Sequence, residues 1–82
     1  MIALLNRNNL GQIAAFIAVA DEGSFTAAGR VLAISGSAVG QAIRQFEHEL
    51  GMQLFVRTTR SVALTEKGQL LLFDLRQVAH AL

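Results

Sequence analysis

The sequence from Ser35 to Gly51, SGSAVGQAIRQFEHELG, predicts a helix with two different faces. Apolar residues recur in it at spacings of four, three and four, which places them on one helical stripe: Val39, Ile43, Phe46 and Leu50. The opposite side, the polar front, carries Ser37, Gly40, Gln41, Arg44, Gln45 and His48. Ser35 has the side chain of an N-cap, and Gly51 has the backbone freedom of a residue that ends a helix. The sequence therefore predicts a helix anchored by its apolar side, with a slim polar front that fits a groove.

The composition limits the class of protein. Eighty-two residues make one small domain. Apolar residues make up 52% of the chain, so we expect some apolar surface to meet a partner. The net charge is only +1, which by itself does not indicate nucleic-acid binding. The chain has no Cys, and His48 and His80 lack metal-ligand spacing, so neither a disulfide nor a metal site is expected.

Two shorter helices are predicted before the central one. Asn9 is expected to cap a first amphipathic helix that runs to Glu22, and Ser24 a second helix from Phe25 to Ala33. The apolar run at 13–20 also imitates a secretion signal, but it is too short to span a bilayer and fits the first helix better. A second helix joined by a tight turn to one with a slim polar face is the helix-turn-helix pattern.

The periodicity changes after Gly51. Residues 52–57 are short and mostly apolar, residues 58–60 form a polar tip, and residues 61–64 alternate with Val62 and Leu64 on one side. This pattern predicts a small β-hairpin, the wing, with Arg57 and Arg60 at its tip. The tip contains neither Gly nor Asn, so its turn type stays open.

A last helix is predicted from Glu66 to the end of the chain, with Thr65 as its N-cap. An a/d-type stripe on it contains Leu71, Leu75, Val78 and Leu82. A second apolar side contains Leu70, Leu72 and Phe73. Because a soluble helix cannot hide two apolar sides alone, one should pack on its own domain and the other on a second chain. We expect the stripe through Leu71 to form the dimer surface.

Together these patterns predict a mostly α-helical, winged helix-turn-helix fold. Residues 1–65 would form one domain, a three-helix core with a short β-hairpin wing. Residues 66–82 would form a helix that takes part in dimerisation. The chain stops on a position of the apolar stripe, so we expect a longer protein that is cut here.

Several motifs stand in a fixed order along the chain: Gly23–Ala28 (GSFTAA), Leu32, Ser35 with Ser37–Val39, Ile43–Arg44 with Glu47, Leu50–Gly51, Leu54–Phe55 with Arg57–Arg60, and Leu64–Glu66 with Gly68. This combination resembles the amino-terminal DNA-binding domain of a LysR-type transcriptional regulator, from about Leu10 to the end of the chain. The resemblance implies a winged helix-turn-helix that binds DNA as a dimer through the last, linker helix. It also implies tetramers and a small-molecule effector bound by a downstream domain, which these residues do not contain.

Three glycines depart from the family pattern. Gly36 stands where Gln is frequent, and Gly40 where Ser is frequent in the recognition helix, so base contacts at these two positions are not carried over. Gly29 replaces a usual Ala. It costs about 1 kcal/mol of helix propensity, and we expect close approach of the neighbouring helix to compensate.

The chemistry of the polar front suits duplex DNA. Gln41 can pair with adenine, and Arg44 can reach guanine or a phosphate. Hydroxyl groups and backbone amides at helix starts can donate to phosphates. Arg57 and Arg60 would meet the DNA backbone or enter a narrow minor groove. The predicted DNA-contacting residues are Thr26, Ser35, Ser37, Gln41, Arg44, Gln45, Arg57 and Arg60.

Other interpretations of the basic residues remain. Each Arg alone is as easily a solvated surface charge. Arg30 would either contact DNA or pair with an acidic neighbour, and Lys67 would either touch a phosphate or stay in solvent.

The function expected from the sequence is a sequence-specific, DNA-binding transcription regulator of the bacterial cytoplasm and nucleoid. It would bind duplex DNA as a dimer, with helix 35–50 in the major groove and the 57–60 wing on the backbone, and without a cofactor or membrane partner. The chain offers no nucleophile–base set, so an enzyme is not expected. The alternative is a winged-helix interaction module without DNA binding, which the low net charge, Gly36 and Gly40 favour.

Overall fold

A computed structural model of the chain describes residues 9–58 and 61–81, and the side chains of residues 9–58 and 61–77. Within these residues four helices and one two-stranded hairpin follow one another. They are α1 (Leu10–Glu22), α2 (Phe25–Leu32), α3 (Gly36–Leu50), β1 (Phe55–Arg57), β2 (Val62–Leu64) and α4 (Glu66–Ala81). The predicted winged helix-turn-helix with a following helix is confirmed.

One apolar core holds the helices and the hairpin together. Phe16 of α1 lies at its centre, with its ring centroid 6.2 Å from that of Phe46 and 5.5 Å from that of Phe55. All three rings are at most 1% exposed, so α1, α3 and β1 are fixed to one another by aromatic packing. None of the described helices is long and apolar enough to cross a bilayer.

Local capping defines where α2 and α3 begin. The Ser24 hydroxyl accepts a hydrogen bond from the Ala27 N–H at 3.1 Å, and the Ser35 hydroxyl accepts one from the Ala38 N–H at 3.0 Å. Both predicted caps are confirmed. The cap predicted at Asn9 is wrong: its φ of −99° and ψ of 0° are not those of an extended cap, and its amide instead donates to the Gln12 side chain at 3.1 Å.

The turn between α2 and α3 is tight because Gly29 has no side chain. A Cβ at this position would lie 2.5 Å from the Ile34 carbonyl oxygen and 3.2 Å from the Gly36 nitrogen. The predicted close approach is thus confirmed, with the turn and the first residue of α3 as its contacts. Helix α2 ends at Leu32, one residue earlier than predicted, because Ala33 adopts the left-handed conformation with a φ of 60°.

The wing is a short antiparallel ladder in which Phe55 pairs with Leu64 and Arg57 with Val62. Strand β1 begins at Phe55 rather than near Met52. The N–H groups of Leu54 and Phe55 donate to the Glu47 carboxylate at 2.7 and 3.2 Å, so the start of β1 is bound to α3.

Helix α4 begins at the predicted cap, since the Thr65 hydroxyl accepts a hydrogen bond from the Gly68 N–H at 3.0 Å. The predicted dimer stripe is wrong for two of its members: Leu71 and Leu75 are only 1% and 6% exposed and pack in the domain's own core. Leu70 and Phe73 are 62% and 60% exposed instead. The hydrophobic pattern identified both apolar sides but assigned the inward one to the partner. The side chain of Val78, and Leu82 as a whole, lie outside the described residues.

Candidate nucleic-acid interface

The polar side chains of α3 are presented to solvent. Ser37, Gln41, Arg44, Gln45 and His48 are all exposed, whereas Val39, Ile43 and Phe46 on the opposite stripe are fully buried. Within the described residues no hydrogen bond or ion pair engages the side chains of Gln41, Arg44 or Gln45. Their donors and acceptors are therefore available to a ligand that contacts the polar front of α3.

An open cleft of about 460 Å³ lies where the starts of α2 and α3 come together. The residues lining it are Phe25, Thr26, Gly36, Ser37, Gly40 and Arg44. The hydroxyl groups of Thr26 and Ser37 and the guanidinium of Arg44, all three predicted DNA contacts, thus line the same cleft. Ser35 stands at the edge of the same region, where its exposed side chain caps α3.

Gly40 forms the floor of this cleft rather than part of the exposed front. It is buried, and a Cβ built on it would lie 3.5 Å from the Arg44 Nη1 atom and 3.8 Å from the Phe25 ring. The Arg44 side chain therefore runs back along its own helix, over the bare backbone of Gly40. The sequence predicted Gly40 on the exposed polar front; it is buried instead, because the side chains of Arg44 and Phe25 cover it.

Arg57 is drawn onto the helical domain instead of standing at the end of the wing. Its guanidinium carbon lies 4.8 Å from the centroid of the Phe25 ring, and its Nη2 atom lies 3.7 Å from the Glu47 Oε1 atom. The hairpin, the start of α2 and the C-terminal part of α3 meet at this point. The ring of Phe25 thus has Arg57 over it and the Gly40–Arg44 segment beside it.

Phe25 and Glu47 are functional candidates that the sequence interpretation missed. Neither is among the predicted DNA-contacting residues, although both lie within the motifs that carry the family resemblance. The contacts of Glu47 depend on where the hairpin crosses α3, which no local pattern reports.

The other predicted basic residues contribute less to the described site. Arg60, together with residue 59, lies outside the described residues. The described residues on the two sides of this gap are joined by a hydrogen bond from the Thr58 N–H to the Ser61 carbonyl at 2.9 Å. Arg30 is exposed and has no ion-pair partner in the described part of the chain, so the alternative of an acidic neighbour finds no support there. Lys67 is exposed in the first turn of α4.

The cleft is locally more positive than the chain as a whole, whose net charge is only +1. The Arg44 guanidinium lines the cleft with the first residues of α2 and α3, and that of Arg57 lies over Phe25 at the start of α2; backbone N–H groups at these helix starts add partial positive charge. Anions such as phosphate groups are stabilised by this combination. Among the described residues no group of three His, Asp or Glu side chains could hold a metal ion. The arrangement is suited to binding an anionic polymer along a helix front.

The chain is similar in sequence to curated transcriptional regulators. The chain is 48% identical over 67 residues to the HTH-type transcriptional regulator PtxR of Pseudomonas aeruginosa, covering 82% of this chain and 22% of that protein. It is 42% identical over 76 residues to the HTH-type transcriptional regulator PgrR of Escherichia coli, covering 93% of this chain and 25% of that protein. The chain thus spans about a quarter or less of the length of these curated relatives.

Solved structures share the fold. The crystal structure of the CbnR DNA-binding domain in complex with DNA matches with a TM-score of 0.80 and 32% identity, over 87% of this chain and 82% of that one. Oxidised OxyR of Corynebacterium glutamicum matches with a TM-score of 0.82 and 34% identity, over 93% of this chain and 25% of that one.

The family model that fits the chain extends from residue 10, the first of α1, to residue 69 in the first turn of α4, and so contains the whole cleft and the whole hairpin. On that match and these relatives, the chain belongs to the lysR family of bacterial regulatory helix-turn-helix proteins.

Proposed function

We propose that this chain binds duplex DNA as the DNA-binding domain of a transcription regulator. The observation that carries the proposal is that Arg44 and Arg57 both lie near Phe25, the first residue of α2, beside a helix front whose Gln41 and Gln45 have no intramolecular partners among the described residues. The match to the CbnR DNA-binding domain, which was solved in complex with DNA, also supports DNA binding. Its action is binding rather than catalysis.

In this proposal α3 enters the major groove with its polar front toward the base edges. Gln41 is placed to pair with adenine, and Gln45 lies one turn further along the same front. Arg44 contacts guanine or a phosphate, and the hydroxyl groups of Thr26, Ser35 and Ser37 donate to phosphates beside the cleft. The wing, through Arg57 and Arg60, holds the DNA backbone.

In this proposal the chain binds DNA as a dimer, and the second copy of the chain contacts the first through α4. Leu70 and Phe73 are large apolar side chains that the domain leaves more than half exposed, on the helix that the family resemblance assigns to dimerisation. Two-fold symmetry then places the two α3 helices in successive major grooves, about one helical turn of DNA apart or a multiple of it. Tetramers and effector binding, in the cytoplasm and nucleoid, are what the family resemblance implies for a full-length regulator.

The alternative is a winged-helix module that binds another protein. A net charge of +1 and the absence of side chains at Gly36 and Gly40 favour it, because both reduce the polar contacts available to DNA. The exposed guanidinium of Arg44 and the free amides of the front argue against it.

Fluorescence anisotropy with a mixed-sequence duplex across a salt series separates the two functions. We expect the logarithm of the binding constant to fall linearly with the logarithm of salt concentration, since phosphate contacts release counterions. Arg44→Ala should weaken binding, whereas Arg76→Ala should not, because Arg76 pairs with Asp21 at 2.7 Å on the α1–α4 side of the domain. Flat or absent binding by the folded protein at low salt would favour the interaction module.

A further inference from the structure

Glu47 links α3 to the first strand of the wing, although a carboxylate is not itself a group that binds DNA phosphates. Its Oε2 atom accepts hydrogen bonds from the Leu54 and Phe55 N–H groups, at 2.7 and 3.2 Å. Its Oε1 atom faces the Arg57 Nη2 atom at 3.7 Å. One carboxylate oxygen thus binds the start of β1 to α3, while the other faces the guanidinium of Arg57 at the end of β1.

The same guanidinium has a second restraint from α2. Arg57 stacks over the Phe25 ring at 4.8 Å, so its position is set by the carboxylate at one edge and the aromatic face beneath it. The side chain still has 33% of its surface in solvent, against 16% for Glu47. A guanidinium carries five N–H donors, and this arrangement leaves donors facing outward for a phosphate.

We propose that Glu47 is a positioning residue for DNA binding, which fixes the Arg57 guanidinium over Phe25 so that it lies beside Arg44 on the DNA-facing surface. The inference rests on the proposed function, since it assigns a role within the same interface. Without the carboxylate the long Arg57 side chain would sample many rotamers, and binding DNA would have to order it. A fixed guanidinium avoids that cost.

This role predicts an effect opposite in sign to simple electrostatics. Replacing a carboxylate near DNA by a neutral group removes repulsion and should strengthen duplex binding. Loss of a positioning contact should weaken it. Glu47→Gln distinguishes the two, because the Gln side-chain oxygen can still accept from the Leu54 and Phe55 N–H groups while the charge facing Arg57 is gone.

The experiment is a double-mutant cycle read by duplex anisotropy at fixed salt. Glu47→Gln should bind about three- to fivefold more weakly than the unchanged protein, the loss of one partly exposed charged contact. In the Arg57→Ala background the same substitution should have little effect, since its target is gone. The matched control is Glu49→Gln, an equal charge change on the same helix at an exposed residue whose contact is the Asn9 amide at 3.5 Å; it should bind as tightly as the unchanged protein or more tightly.

Arg57→Lys tests the same idea without disturbing Glu47 or the start of β1. It keeps the charge but lacks the planar guanidinium that stacks on the ring, so it should lose about as much affinity as Glu47→Gln. Far-UV circular dichroism confirms that each variant is folded before its affinity is compared.

Three outcomes would overturn the inference. Glu47→Gln that binds as tightly as Glu49→Gln would show that the carboxylate only repels DNA. An equal loss of affinity with and without Arg57 would show that Glu47 acts on the fold alone, and full affinity of Arg57→Lys would show that guanidinium orientation does not matter. Absence of duplex binding by the unchanged protein is a separate result, which would overturn the proposed function and this inference with it.

Discussion

Leu71 and Phe73 stand two positions apart on α4, yet Leu71 is 1% exposed and Phe73 is 60% exposed. Leu71 packs in the core with Phe16, Phe46 and Phe55, whereas Phe73 shares the open side of the helix with Leu70. An exposed Phe and an exposed Leu on one helix side are apolar surface that a second chain would cover. The helix therefore packs one side on its own domain, and we propose that a second copy of the chain covers the other.

We expect Phe73→Glu to produce a folded monomer. The charge would be buried without a partner in the proposed dimer surface, which is costly, but would be solvated in the monomer. Sedimentation velocity at a fixed protein concentration measures the change, and circular dichroism reports the fold.

Leu71→Glu is the matched substitution on the inward side. It would place the same carboxylate in the core and should unfold the domain rather than only separate the chains. An intact dimer of Phe73→Glu would remove this side of α4 from the interface.

The comparison of these two residues shows what the sequence can and cannot specify. Caps at Ser24, Ser35 and Thr65 were predictable because a hydroxyl and an N–H three residues on interact within one turn. The orientation of α4 was not, because Leu71 and Leu70 belong to stripes of similar hydrophobicity. Only packing against α1 and the hairpin decides which stripe turns inward.

The same division holds for the candidate site. Exposure of Gln41 and Arg44 followed from the period of α3, which is a local property. The meeting of Phe25, Glu47 and Arg57 did not, because it depends on how the hairpin folds back across two helices. The hairpin pattern of residues 52–64 predicted Arg57 at the tip of the wing, whereas the structure places its guanidinium against the helices.

Gly29→Ala and Gly40→Ala should change stability in opposite directions. At Gly29 the added methyl would lie 2.5 Å from the Ile34 carbonyl oxygen, a backbone atom that cannot move aside cheaply, so the free energy of unfolding should fall by about 2 kcal/mol. At Gly40 the nearest atoms lie at 3.5 Å or beyond, and the gain in helix propensity should raise it by about 0.5–1 kcal/mol. Urea denaturation of the two variants measures both; a Gly29→Ala protein as stable as the parent would contradict the close approach of α2 to the turn.

Arg57→Ala should weaken binding to every duplex alike and lower the slope of the salt dependence by about one unit, the loss of one phosphate contact. The same change is expected for Arg60→Ala if residue 60 lies on the DNA backbone as the sequence predicts. Anisotropy titrations on two unrelated duplexes at four salt concentrations measure the slopes. Slopes equal to that of the unchanged protein would exclude the wing from the interface.

Ala33→Gly should stabilise the domain. Ala33 ends α2 with a φ of 60°, a left-handed conformation that costs a residue with a Cβ about 1–2 kcal/mol. Glycine removes that strain but gains freedom in the unfolded chain, which offsets about 0.5–1 kcal/mol. Because Ala33 is exposed, no packing is lost, and the net gain should be about 0.5–1 kcal/mol, or about 4 °C in Tm.

Gly23→Ala provides the reverse of this substitution at the end of α1. Gly23 has a φ of 73° and nothing within 4 Å of a Cβ position, so the methyl group would introduce backbone strain without a clash. Its Tm should fall by an amount similar to the rise in Ala33→Gly, with both melts recorded at one protein concentration because dimerisation shifts Tm. If Ala33→Gly instead lowers Tm while Gly23→Ala behaves as expected, the Ala33 side chain has a stabilising contact in the turn that outweighs its strained backbone.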